Sequence, residues 1–121
     1  MVVRVEKSGP VWTVIHSRPE ARNAMDPASA DALVAAFQCF DADATADVAV
    51  LWGEGGAFCA GWDLKYVASL EGDNPLPGLD FPADGAAPRG PLGPTRLELS
   101  KPVIAAGRTR RGWRHGAGTL V

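Results

Sequence analysis

The chain has 121 residues, of which 46% are hydrophobic and 21% charged, with 14 Gly, 10 Pro and 2 Cys. That length suits one small domain with a marginal core, and the apolar fraction excludes a chain disordered throughout. Two cysteines cannot staple a disulfide scaffold, and no apolar run is long enough to cross a membrane, so a soluble cytoplasmic protein is expected.

Charge is distributed unevenly. Residues 1–106 hold 8 of the Lys and Arg and all 14 acids, a net of −6, whereas residues 107–121 hold Arg108, Arg110, Arg111 and Arg114 and no acid, a net of +4. So abrupt a switch sets the last segment apart from the rest.

In chain order, residues 2–7 and 11–15 read as strands joined by a hairpin at Ser8-Gly9-Pro10. A polar loop, 17–23, follows. Asp26-Pro27 has the form of an N-cap with proline at the first helical position, and Ala30, Leu33, Val34, Phe37 and Phe40 recur on one helical face. This helix is expected to end near 41–43. The run 48–52 reads as a buried strand, with Trp12 and Trp52 as strand core, and Gly53-Glu54-Gly55-Gly56 as the turn after it. A short helix is expected over 63–70. Residues 72–94 carry 6 prolines and 5 glycines and read as an irregular, mobile excursion. Leu97-Glu98-Leu99 reads as helical and 101–106 as the start of another strand. Strands alternating with helices indicate an α/β fold.

The block Ala57-Phe58-Cys59-Ala60-Gly61-Trp62-Asp63-Leu64-Lys65 takes a strand through a glycine turn into a helix start. Backbone N–H groups left unpaired there, at the positive end of a helix dipole, suit a developing oxyanion. The alternative is that Gly61 only makes the turn and Asp63 only caps the helix. Cys39 and Cys59 read as small apolar fillers, and His16 as structural or solvated.

Three segments carry a resemblance: His16-Ser17-Arg18-Pro19-Glu20-Ala21-Arg22-Asn23-Ala24-Met25, then Gly55 to Lys65, then Leu99-Ser100-Lys101-Pro102-Val103-Ile104-Ala105-Ala106. In this order over residues 1–106 they resemble the enoyl-CoA hydratase/isomerase family, the crotonases. The resemblance implies the N-terminal portion of a crotonase-like (ClpP/crotonase) fold of ββα repeats. It implies an enzyme of the hydratase lyase type, or an isomerase, acting on an acyl-CoA thioester. It further implies that the Trp62 N–H is one of two oxyanion donors, although relatives often have a small residue at this place. The segment Ala21-Arg22-Asn23-Ala24, with Ala60, Gly61, Asp63 and Leu64, would line the CoA path, with Arg22 near a phosphate. No metal or separate cofactor is implied, since coenzyme A is part of the substrate, and complete crotonases commonly form trimers and hexamers.

The second donor and the hydratase glutamates lie, in the family, in and beyond a glycine-rich stretch after the strand ending at Ala106. Here residues 107–121 read Gly-Arg-Thr-Arg-Arg-Gly-Trp-Arg-His-Gly-Ala-Gly-Thr-Leu-Val instead. Glu54, Glu71 and Glu98 do not occupy family catalytic positions. With CGN arginine codons and a start at the second base of the Gly107 codon, the tail permits Asp-Gly-His-Ala-Val-Ala-Gly-Gly-Met-Glu-Leu-Ala-Leu-Trp, as a crotonase would read. The codons of Trp113 and His115 constrain this most. Residues 107–121 are therefore expected to be an out-of-frame basic tail on a truncated crotonase. The alternatives are a catalytically inactive fragment, and nucleic-acid binding through the tail, which four arginines without a domain support weakly.

Overall fold

The computed structural model describes residues 2–69, 90 and 92–107, and the backbone of 118–120. Strands β1 (Val3–Ser8) and β2 (Val11–His16) form an antiparallel hairpin in which Val3 faces His16 and Ser8 faces Val11. Gly9 makes the turn at φ 57°. β3 (Val48–Gly53) and β4 (Val103–Ala106) then add in parallel, and Gly118–Leu120, β5, lies antiparallel on β4. The strands follow one another across the sheet in sequence order.

Between the parallel strands β2 and β3 runs α1 (Pro27–Ala42). Its start follows from local chemistry. Asp26 is extended, its carboxylate accepts from Ser29 N–H at 2.8 Å, and Pro27 has no N–H to satisfy. Leu33, Phe37 and Phe40, spaced by three and four residues, are each 2% exposed or less. Burying side chains of this size contributes about 1.5–3 kcal/mol apiece. They meet the sheet on the face that carries Trp12, whose ring lies 5.8 Å from that of Phe40. The helix ends as expected, with Asp43 as C-cap. Its final turn is tied to the start of β4: the Ser100 N–H and hydroxyl both donate to Asp41 Oδ1, and the Lys101 ammonium donates to the carbonyls of Phe40 and Asp43. A cation there complements the helix dipole.

Three expectations are corrected. Trp52 is not core but 40% exposed, because Trp12 pairs with Ala49 and alternation then turns Trp52 to the face opposite α1. Ile104 shares that face and that exposure. Cys39 is exposed rather than a filler, lying between the inward positions Phe37 and Phe40. Residues 97–99 are not helical. A 3-10 turn over Pro94–Arg96 precedes them, and they lead extended into β4. Of the excursion 72–94, only 90 and 92–94 fall among the described residues, where Gly90 and Gly93 form an isolated bridge. The tail at 108–117 likewise lies outside them. Among the described residues no helix is long and apolar enough to cross a membrane.

Candidate active site

The site is a corner where two loops are laid side by side. β3 ends at Gly53, and an added Cβ there would sit 2.4 Å from the Phe58 carbonyl oxygen and 2.6 Å from that of Ala57. Only glycine lets the following loop fold back over the strand end this closely. The second loop, 17–25, leaves β2 through a 3-10 turn over Pro19–Ala21.

Asn23 joins the loops. It is fully buried, in the left-handed region at φ 57°, which a non-glycine residue adopts most readily when it is Asn or Asp. Its Oδ1 accepts from Arg18 N–H at 2.6 Å, and its Nδ2 donates to the carbonyls of Glu54 at 2.8 Å and Ala57 at 2.6 Å. Every hydrogen of that side-chain amide is thereby used.

Met25 and Trp62 then form a parallel bridge. Met25 N–H donates to the Gly61 carbonyl at 2.7 Å, and Asp63 N–H donates to the Met25 carbonyl at 2.8 Å. In such a bridge the flanking residues make the bonds, so the N–H of Trp62 is turned to the other side. Among the described residues that N–H has no acceptor. Gly61, at φ 92°, makes the turn into this position, and the Trp62 ring stacks on Tyr66 with centroids 6.2 Å apart. The indole leans on the following helix, on which the backbone donor makes no demand.

That helix, α2 (Leu64–Ser69), is capped by Asp63, whose Oδ1 accepts from Lys65 N–H at 2.9 Å and Tyr66 N–H at 3.2 Å. Asp63 Oδ2 accepts from Arg18 Nη2 at 2.9 Å. The Arg18 hydrogen bond, and then the backbone bonds, hold the Asp63 carboxyl below the ordinary range. It is therefore an ionised anchor rather than a proton donor at neutral pH.

The remaining expected site residues are distributed around this corner. Ala24 is buried, with its carbonyl taken by Arg18, whereas Arg22 and Ala60 are exposed and joined by a bond from Ala60 N–H to the Arg22 carbonyl at 3.2 Å. Leu64 is 77% exposed. Ala21 is half-buried, and its carbonyl accepts from Ala24 N–H at 3.0 Å. The arginine at 22 thus presents its side chain to solvent at the rim.

Glu54 pairs with Arg4, and Glu98 is exposed; Glu71 lies outside the described residues. Cys59 packs against the core, as expected of a filler. His16 is 3% exposed and structural, not solvated, and its Nε2 has no partner among the described residues. Burial, aided by the nearby Arg18 charge, lowers its pKa from the ordinary value against weaker opposing pulls from Asp26 and Glu20. Sequence reasoning placed Asn23 in a CoA-lining segment and gave Arg18 no role. Neither one's contacts with the 54–63 loop leave a signal in local sequence.

Known proteins share much of this sequence and fold. Residues 6–77 match the family model described as enoyl-CoA hydratase/isomerase. The chain is 41% identical over 106 residues to a carnitinyl-CoA dehydratase of Salmonella arizonae, covering 86% of this chain and 37% of that relative. It is 36% identical over 109 residues to the enoyl-CoA hydratase EchA19 of Mycobacterium tuberculosis, covering 84% and 37%. Among solved structures, a probable enoyl-CoA hydratase/isomerase from Mycobacterium abscessus superposes with a TM-score of 0.69 at 38% identity, covering 88% of this chain and 37% of that one. A carnitinyl-CoA hydratase from Mycobacterium avium gives a TM-score of 0.70 at 31% identity, covering 88% and 38%. The chain thus spans a little over a third of the length of the relatives it matches.

Proposed function

Because the chain belongs to the enoyl-CoA hydratase/isomerase family and has that family's crotonase-like fold, we propose that it carries part of a site hydrating trans-2-enoyl-CoA thioesters. The observation that supports this most is the Trp62 N–H, which has no acceptor among the described residues and is turned away from Met25 by the Met25–Trp62 bridge. A thioester carbonyl accepting from it is polarised. Negative charge that collects on the oxygen as water adds to the acyl chain is then stabilised as an enolate. Gly61 and Asp63 bracket this donor. Ala21, Arg22, Ala24, Ala60 and Leu64 line the path of the CoA moiety, with the exposed Arg22 guanidinium available to a phosphate.

The same corner favours a second reading, that this chain binds an acyl-CoA without turning it over. Asp63 is spent on Arg18 and on capping α2, and Glu54 is paired with Arg4. In the first reading the second donor and the acid–base glutamates would be supplied by the shifted frame expected for 107–121.

Hydration of crotonyl-CoA, followed by loss of enoyl absorbance, separates the readings when the 121-residue chain is assayed beside a frame-restored version. The restored protein is expected to hydrate it, and the 121-residue chain to bind it without turnover. Hydration by the short chain would place an acid–base group within it. Failure of the restored protein both to bind and to react would end the hydratase reading.

A further inference from the structure

One guanidinium ties together the starts of both helices at this corner. Arg18 Nη1 donates to the Ala24 carbonyl at 2.6 Å and lies 3.6 Å from Asp26 Oδ2, while Nη2 donates to Asp63 Oδ2 at 2.9 Å. Asp26 and Asp63 are the N-caps of α1 and α2, and each uses Oδ1 for its cap and turns Oδ2 to Arg18. The Arg18 and Asp63 side chains are each only 14% exposed. The third carboxylate near it, Glu20, lies 3.9 Å from Nε and is 71% exposed, so water screens that pair.

The two backbone bonds of the bridge join Met25 to Gly61 and to Asp63, directly beside the capping carboxylates. Arg18 grips the chain on both sides of that bridge: Ala24 and Asp26 flank Met25, and Asp63 follows Trp62. A planar guanidinium with a fixed fork of donors can hold these acceptors in one arrangement, which a single ammonium on a flexible stem cannot. The partly buried setting makes each charge-assisted bond stronger than a surface pair.

We infer that Arg18 is a positioning residue for the Trp62 donor, setting the direction of its N–H by locking the Met25 and Trp62 strands together through Asp63 and Ala24. The inference rests on the proposed role of Trp62 as an oxyanion donor. Arg18 itself touches no reacting atom.

The test uses the 121-residue chain and two variants, Arg18→Lys and Asp63→Asn. Asp63→Asn keeps an oxygen for the α2 cap but turns an amide toward Arg18, so it breaks the clamp while sparing the cap. Native-state hydrogen exchange is read at the amides of residues 25 and 63 and, as reference, at Val14 and Leu51 in the sheet.

Both variants are expected to speed exchange at 25 and 63 by about tenfold, the factor for losing one charge-assisted hydrogen bond, with the sheet amides changed by less than about twofold. Both are also expected to weaken crotonyl-CoA binding more than binding of CoA itself, because only the thioester carbonyl uses the aimed donor. Equal acceleration at all four amides would reduce Arg18 to a general stabiliser and overturn the inference, as would unchanged exchange at 25 and 63. The donor reading fails by a different result: crotonyl-CoA and CoA bind the unmodified chain alike. That outcome leaves the exchange pattern as it was.

Discussion

Replacing Asn23 by Ala removes the side chain that holds the two site loops together. The substitution strands three groups at once: the Arg18 N–H and the carbonyls of Glu54 and Ala57. At about 1 kcal/mol net for each bond, and about 1 more for holding Ala at the left-handed φ of 57°, the loss comes to about 4 kcal/mol. Small domains have only about 5–15 kcal/mol in all, so this loss is a large fraction of the whole. Urea unfolding followed by tryptophan fluorescence measures it, since Trp12 is 4% exposed when folded. Asn23→Asp is the separating control. It keeps the acceptor for Arg18 and the tolerance of the left-handed region, yet has no N–H for either carbonyl and sets a negative charge against both. It is expected to cost at least as much as Asn23→Ala at neutral pH. A loss below about 1 kcal/mol for Asn23→Ala would refute the reasoning, because it would show those three groups satisfied without Asn23.

Three further expectations concern His16, the α1 cap and the last segment of the chain. His16 has its pKa lowered in the folded chain, so the unfolded chain binds its proton more readily; stability is full above the unfolded value near 6.5 and falls as the pH drops through it, by at most about 1.4 kcal/mol per unit. Melting temperatures between pH 7.5 and 5 are expected to decline, and His16→Leu to flatten that decline; the lowered carboxyls of Asp26 and Asp63 add their own losses only at more acidic pH. Asp26→Ala removes the α1 cap and is expected to cost about 0.5–2 kcal/mol in chemical denaturation. Sequencing the gene is expected to show an open shifted frame continuing past codon 121, and an early stop in that frame would end the proposal for residues 107–121.

How far local sequence reaches into this structure depends on the distance over which each feature is determined. The hairpin at Ser8-Gly9-Pro10, the Asp26-Pro27 start of α1 and the Asp63 start of α2 are decided by neighbours a few residues apart, and each stands where its residues place it. Trp52 was misplaced because Val48 to Trp52 is apolar at every position, so alternation is hidden until Trp12 and Ala49 show which face α1 covers. Arg18 and Asn23 sit in a polar loop whose composition suits solvent or ligand, whereas their partners in the 54–63 loop are 31 to 45 residues away. The motif order identified the corner, but its internal wiring is a product of tertiary contact.

The Trp62 N–H, which has no acceptor among the described residues, is the donor proposed for a thioester carbonyl. Labelling the chain with 15N-tryptophan gives backbone amides for only the 4 Trp residues, among them Trp62. On titration with crotonyl-CoA the Trp62 backbone amide is expected to move downfield as it donates to the carbonyl, with Trp12 unmoved, and CoA alone to leave both in place. If crotonyl-CoA binds the chain and the Trp62 amide does not move, the donor assignment is wrong.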